Sequence, residues 1–294
     1  MPQTRMPRVA ASTRVTPEKW AAVCSAVREA GERFADLILF VPDPSVLATK
    51  DWSVAETAAH VTAIAWNYTA TVAKDGRPLP IPDVRPFLST ATFNTFGTGL
   101  NPALLRGYPE RDPARLAERL RAAIAQILST TAGAAPEHAL PWLSGSRLPL
   151  AGVLTHMMNE LLIHGRDIAR AAGVPWRIAE DQAALFFDLF LVELIRNGYG
   201  HLLDDDHPVR PGRIAVELRS AYTTPVTIVL DSGEVSVEEP SGDCDVRIRF
   251  RPAVLDLVLF HRISPVRAAL AGSVTAWGRR PWLLPAFLRK VRAP

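Results

Sequence analysis

In the stretch THMMNELLIHGRDIARAA, residues 155–172, His156, Glu160 and His164 are each four residues from the next. In a helix four residues advance roughly 400°, so successive side chains sit about 40° apart and all three share one stripe. Two imidazoles and a carboxylate on one stripe are half of a site for a divalent metal such as zinc. A further protein ligand has to come from another element. The competing reading is a bundle helix with ordinary polar neighbours. A di-iron carboxylate bundle fits less well: it uses two Glu-x-x-His pairs, whereas Glu160 and His164 are four apart and no second copy exists.

The elements that must position these residues follow from period and punctuation. The focal helix runs from near 149 to Gly173, a C-cap glycine followed by Pro175. Thr16-Pro17-Glu18 predicts a helix start, with Trp20, Val23, Val27, Phe34, Leu37 and Ile38 recurring at near-helical spacing to about residue 40. Ser53 and Glu56 have capping-box spacing and open a second helix, which stops before Asp75-Gly76. His60 sits two turns into it among Ala58, Ala59, Val61 and Ile64, a closely packed face. Taken alone, such a histidine reads more readily as a hydrogen-bonded core or surface residue than as a ligand. Residues 75–111 read mostly as loop, with a short helix over 89–96, and a loop of that length is often a lid or pocket wall. Asp112-Pro113 opens a third long helix to about 131–133, and 140–147 reads as loop. Four long helices with one long connection predict a four-helix bundle.

A fifth helix is expected over 181–199, and then the period changes. Residues 204–208 (DDDHP) read as a linker with a solvated acidic run. Residues 213–219, 225–230, 235–239 and 245–250 alternate like strands, with a hairpin turn at Asp231-Ser-Gly233. Arg251-Pro252 opens a helix to about 261, residues 272–277 form a last strand, and 281–291 an amphipathic helix. The fold class is therefore α plus α+β, a helical bundle followed by a small α+β domain.

At 294 residues, with 48% hydrophobic and 21% charged content, the composition is that of a soluble globular protein of two domains. The net charge of +3 comes from scattered arginine, which gives no support to nucleic-acid binding. No apolar run approaches the roughly 18 residues of a membrane span. Residues 1–14 lack the apolar core of a signal peptide and read as a disordered leader. Cys24 and Cys244 make no disulfide framework, which fits a reducing cytoplasm. The expected state is a monomer or homodimer. There are no repeats and no low-complexity tract.

Trp52-Ser-Val-Ala-Glu56 through His60, followed far downstream by Glu160-x3-His164-Gly165-x-Asp167-Ile-Ala, resembles the mycothiol-dependent maleylpyruvate isomerase family. The resemblance implies a DinB-like four-helix bundle over 15–176 and a sterol-carrier-protein-2-like α+β domain over 177–294. It also implies a metal triad of His60, Glu160 and His164, with mycothiol as cosubstrate. His156 falls outside that triad; it is either a packed bundle histidine or a neighbour that holds the site's water or a substrate group. Asp167, one turn past His164, is placed to accept a proton from that imidazole, with Arg166 or the backbone as alternative partners. In the family an arginine after an apolar run holds the substrate carboxylate, which corresponds here to Arg262 in Leu257-Val-Leu-Phe-His261-Arg262. The family more often has glycine where this chain has His261. Arg147, Arg166, Arg279 and Arg280 are other candidate anion contacts.

Three ligands on a zinc-like ion leave an open position, where a low-molecular-weight thiol is held as the reactive thiolate. The implied activity is isomerisation or S-transfer on a small electrophilic, anionic substrate bound in a cleft between the domains. The rivals are a metal-assisted reaction of a pathway-specific small molecule without thiol, and a non-catalytic ligand-binding protein. Neither cysteine has a nucleophile motif, and Ser144-Gly145-Ser146 is not a nucleophile elbow.

Overall fold

The computed structural model describes residues 15–73, 75–76 and 78–293, so the leader expected over 1–14 lies outside the described residues. Helix α1 spans Pro17–Phe40, with Thr16 accepting from the Lys19 N–H as its N-cap. Helix α2 spans Val54–Ala73. It opens on a reciprocal capping box: Ser53 Oγ accepts from the Glu56 N–H at 3.2 Å, and Glu56 Oε2 from the Ser53 N–H at 2.8 Å.

The connection that follows departs from expectation. Residues 89–95 form turns, and the helices fall on either side: a 3-10 turn at Pro82–Phe87, then a π turn at Phe96–Leu100 running into α3 at Asn101–Gly107. Proline decides both places. Pro82 and Pro102 stand in the first turn, where the missing N–H costs nothing and the fixed φ suits a helix. Helix α4 spans Pro113–Thr131, capped by Asp112 accepting from Arg115 N–H. The expected loop at 140–147 is instead a hairpin, β1 Ala139–Pro141 against β2 Arg147–Pro149. Its reversal uses Ser144 and Gly145, both at positive φ.

Helix α5, Leu150–Ala172, ends on Gly173 at φ 68°, the left-handed C-cap for which glycine is suited. Helices α1 and α2 each pack against both α4 and α5 and touch each other little, so they stand at opposite corners of a four-helix bundle. Phe34, Leu116, Leu120, Leu154, Met157 and Met158 are among the fully buried side chains at its centre. Each contributes about 1.5–3 kcal/mol by leaving water.

Helix α6 (Glu180–Phe186), a π turn (Phe187–Val192) and α7 (Glu193–Asn197) run on from one another where a single helix was expected. A sheet follows: β3 Arg213–Arg219, β4 Val226–Asp231, β5 Glu234–Glu238 and β6 Val246–Phe250. Then come α8 Pro252–Leu259, α9 Pro265–Leu270, β7 Val274–Gly278 and α10 Leu284–Lys290. The strand order is β5-β4-β3-β6-β7, antiparallel except for the β3–β6 pair. Ser232 and Gly233, both at positive φ, make the two-residue turn between β4 and β5. Helix α9 was not foreseen, although Ser264 caps it and Pro265 starts it.

The α6–α7 stretch joins the two halves. It packs on α5, while α6 also packs on α8 and the Phe187 ring lies 4.9 Å from that of Phe250 on β6. One buried apolar cluster consequently runs from the bundle into the sheet. The acidic run is not simply solvated: Asp205 is largely covered and lies 3.5 Å from Arg292 and 3.9 Å from Lys290. Both cysteines are free thiols. Among the described residues no helix is long and apolar enough to cross a membrane.

Candidate metal centre and its cavity

The fold brings α2 and α5 side by side so that His60 meets the focal stripe. Candidate ligand atoms of His60, Glu160 and His164 all lie within 4.8 Å of one another. Glu160 is the hub. Its Oε2 lies 3.5 Å from His60 Nε2 and 3.4 Å from His164 Nε2, and its Oε1 lies 3.4 Å from His156 Nε2. His60 is 3% exposed, yet its Nδ1 and Glu160 Oε2 have no well-formed hydrogen bond. Buried polar atoms left this way are costly. Converging imidazole nitrogens and carboxylate oxygen suit a zinc-like cation that would satisfy Glu160 Oε2.

The electrostatics follow from burial and from Glu160. Desolvation would raise the Glu160 carboxyl, but contacts with His164 and His60 and the charge of His156 hold it well below the ordinary value. Burial pulls His60 and His156 down, and Glu160 offsets this only in part. Burial also acts against a charged His164, but Asp167 and Glu160 outweigh it and the net direction is upward.

Asp167 is the partner its spacing made available. Its Oδ2 lies 3.3 Å from His164 Nδ1, which leaves Nε2 turned to Glu160. On its other side it meets Arg262, whose Nε and Nη2 donate to its two oxygens at 3.2 and 2.5 Å. Arg262 Nη1 donates to the Phe260 carbonyl at 2.7 Å. Arg262 thus lies on the cavity wall, but three of its five N–H groups are engaged within the protein. His261 before it adopts φ 60°, a left-handed conformation that favours glycine.

His156 is held from behind by residues that sequence reasoning missed. Trp142 Nε1–H donates to the Tyr68 hydroxyl at 3.1 Å, and that hydroxyl lies 3.0 Å from His156 Nδ1. Burial pushes the Tyr68 phenol up, so it keeps its proton. The phenol takes the indole N–H and keeps its own proton to donate to His156 Nδ1; in that tautomer the Nε2–H of His156 points at Glu160 Oε1. A signal for Tyr68 was present: His60, Ile64 and Tyr68 repeat the four-residue spacing of the focal stripe. Trp52, whose ring lies 4.7 Å from that of His60, belonged to the family motif but carried no assigned role. Of the other arginines, Arg279 and Arg280 pair with Asp243 and Asp245, and Arg147 donates to the Ala139 carbonyl, all apart from this cluster.

The cluster opens onto a cavity of about 960 Å³. Its wall is completed by the 82–104 segment, by Trp142 next to the β1–β2 hairpin, by Phe190 and Leu191 of the π turn, and by Phe260 and Arg262 beyond α8. The lid or wall expected of the long connection is thus its position in the structure.

A four-helix bundle with a buried histidine–carboxylate cluster, joined to a five-stranded α+β unit, defines the class. By sequence, the chain belongs to the mycothiol maleylpyruvate isomerase N-terminal domain family, matched over residues 20–169, and so to a family of enzymes. No curated protein matches it. Among solved structures it is similar to the mycothiol-dependent maleylpyruvate isomerase, at 13% identity and TM-score 0.52, covering 91% of this chain and 95% of that one. A histidine-to-alanine variant of that enzyme matches at TM-score 0.51 with the same identity and coverage. Likeness at this identity establishes a shared fold across both halves.

Proposed function

We propose that His60, Glu160 and His164 hold one divalent cation, zinc by the character of the donors, and that the protein uses a low-molecular-weight thiol, mycothiol by family, on an electrophilic double bond. The observation that carries this reading is the buried Glu160 Oε2, without a well-formed hydrogen bond, facing two imidazoles in a chain of this family. Bound there, the cation supplies the positive charge that keeps a thiol deprotonated at neutral pH.

The chain's own groups position and stabilise. The His156 Nε2–H fixes Glu160 through Oε1 and leaves Oε2 for the centre. The Asp167 carboxylate, 3.3 Å from His164 Nδ1, favours a proton on that nitrogen and so leaves Nε2 facing inward. Arg262 holds Asp167, and its remaining N–H groups offer positive charge to an oxygen that becomes negative during reaction. In that reaction the sulfur–carbon bond forms as the double-bond pair moves onto a conjugated carbonyl oxygen. After rotation the pair returns, expels the thiolate and leaves the isomerised double bond with the thiol regenerated. If carbon instead takes up the thiol's proton, the product is a thioether and the outcome is S-transfer. Residues 15–176 and 177–294 are assigned as two domains, a division supported by the confinement of the five-stranded sheet to residues after 212.

Elemental analysis of purified protein tests the centre: about one metal per chain, lost in the His60→Ala/His164→Ala double variant. Metal retained at the wild-type level in that variant sinks the assignment. A screen of mycothiol against other small thiols tests the thiol requirement.

A further inference from the structure

The sequence resemblance implied a small anionic substrate, and the shape and chemistry of the cavity argue for a different class. About 960 Å³ is at the upper end of what ligand cavities occupy. Away from the histidine cluster, Thr49, Asp51, Asn67, Thr71 and Asn101 put polar groups on the wall, but its side chains from the connection between α2 and α4 are mainly apolar. Val84, Leu88, Phe93, Phe96, Leu100 and Leu104 line it from the connection between α2 and α4, and no charged side chain of that connection is among the described lining residues. Trp142 and Phe190, with rings 5.3 Å apart and nearly perpendicular, form the opposite aromatic surface beside His156. The charged or titratable side chains among the described lining residues are Asp51, Tyr68, Arg262 and the His60, His156, Glu160 and His164 cluster itself. Arg262 is the lone arginine or lysine among them, and Asp167 already takes its Nε and Nη2.

A carboxylate placed against the 84–104 wall loses its hydration and meets no opposite charge among the described residues there. An uncharged ring or branched hydrocarbon on the same wall gains from leaving water, and aromatic edges are available for it to pack on. The π turn adds to this. The extra residue it accommodates in the helix places Phe190 stacked on Phe186, 4.9 Å between ring centres, and turned towards His156.

We propose that the substrate is an uncharged electrophile with a sizeable apolar body, a ring-bearing conjugated ketone or a compound of like character, whose body packs on the 84–104 wall while its reactive carbon reaches the histidine cluster. This rests on the thiol-addition reading above for the word electrophile, but the preference of the wall for an uncharged apolar body stands apart from it.

The test is calorimetric titration of the purified full-length protein, its metal content measured, with three unreactive probes: 4-phenylbutan-2-one, 3-phenylpropanoate and succinate. The ketone should bind at least tenfold more tightly than either carboxylate. Leu100→Glu, at a half-exposed wall position, should weaken ketone binding at least fivefold with metal content unchanged; if that variant does not fold, Leu88→Gln should weaken it in the same direction. The proposal is overturned if either carboxylate binds as tightly as the ketone, if ketone binding is undetectable, or if the folded wall variant binds the ketone as wild type does. Loss of the metal or thiol assignment would appear separately, in elemental analysis and the thiol screen, and would leave the probe preference readable.

Discussion

Arg262 and Asp167, 95 residues apart in sequence, meet edge to edge, with Nη2 2.5 Å from Oδ2 and Nε 3.2 Å from Oδ1. The same Oδ2 lies 3.3 Å from His164 Nδ1. A guanidinium beyond α8 therefore steers an imidazole on α5. Burial alone would raise the Asp167 carboxyl, but His164 and Arg262 prevail and hold it below its ordinary value, so it stays an acceptor.

Asp167→Asn keeps the shape and removes the charge. Metal affinity, read by competition with a coloured chelator, should fall about 10–100-fold, the usual cost of losing a ligand histidine's partner. Arg262→Ala should lower it in the same assay, whereas an arginine that met only substrate would leave it unchanged. Wild-type affinity in Asp167→Asn would show that the aspartate does not position His164.

Tyr68→Phe removes the hydroxyl that takes the Trp142 N–H and hydrogen-bonds His156 Nδ1. Two part-buried polar groups lose their partner, at a cost of about 1 kcal/mol. Urea denaturation should show a lower midpoint with unchanged slope. Equal stability would mean that the indole and imidazole find other partners.

Much of this was legible in sequence because it is local. The Ser53–Glu56 box, the Thr16 and Asp112 caps, the Gly173 stop and the His156-Glu160-His164 stripe each depend on residues within one turn or two, and helical period carries that information. What escaped depends on contacts between distant elements. Phe190 reaches the cavity from a π turn, and Trp142 reaches Tyr68 from a hairpin where loop was expected. Arg262 looked like a free anion anchor because no spacing rule joins it to Asp167. Helix α9 was missed although its signals, the Ser264 cap and Pro265 in the first turn, are local.

Asp256 is 3% exposed, and neither carboxyl oxygen has a well-formed hydrogen bond. Burial pushes its carboxyl well above the ordinary 3.8, and Arg262 and Asn159 offset this only in part. The folded chain thus holds a proton that the unfolded chain releases near pH 3.8. Stability from this group is greatest below that pH and falls as pH rises towards the folded value. Asp256→Asn carries no such loss. Its advantage over wild type should grow from about pH 4 upwards and reach about 1–3 kcal/mol at neutral pH. Denaturation curves at pH 5 and 7.5 decide it: no gain at the higher pH would mean that the carboxylate is satisfied when charged.

His261 holds φ 60° with its side chain exposed, directly before the arginine that orders Asp167. A non-glycine residue pays about 1–2 kcal/mol for that conformation, and glycine gives part of it back through its freer unfolded chain, roughly 0.5–1 kcal/mol. His261→Gly should therefore stabilise the fold by about 0.5–1 kcal/mol in chemical denaturation. Because Gly has no side chain to move Arg262, metal affinity should stay at the wild-type value. A destabilised His261→Gly would mean that the imidazole makes a contact worth more than the backbone strain. A stabilised variant with weakened metal binding would mean that the strain itself sets the angle at which Arg262 meets Asp167.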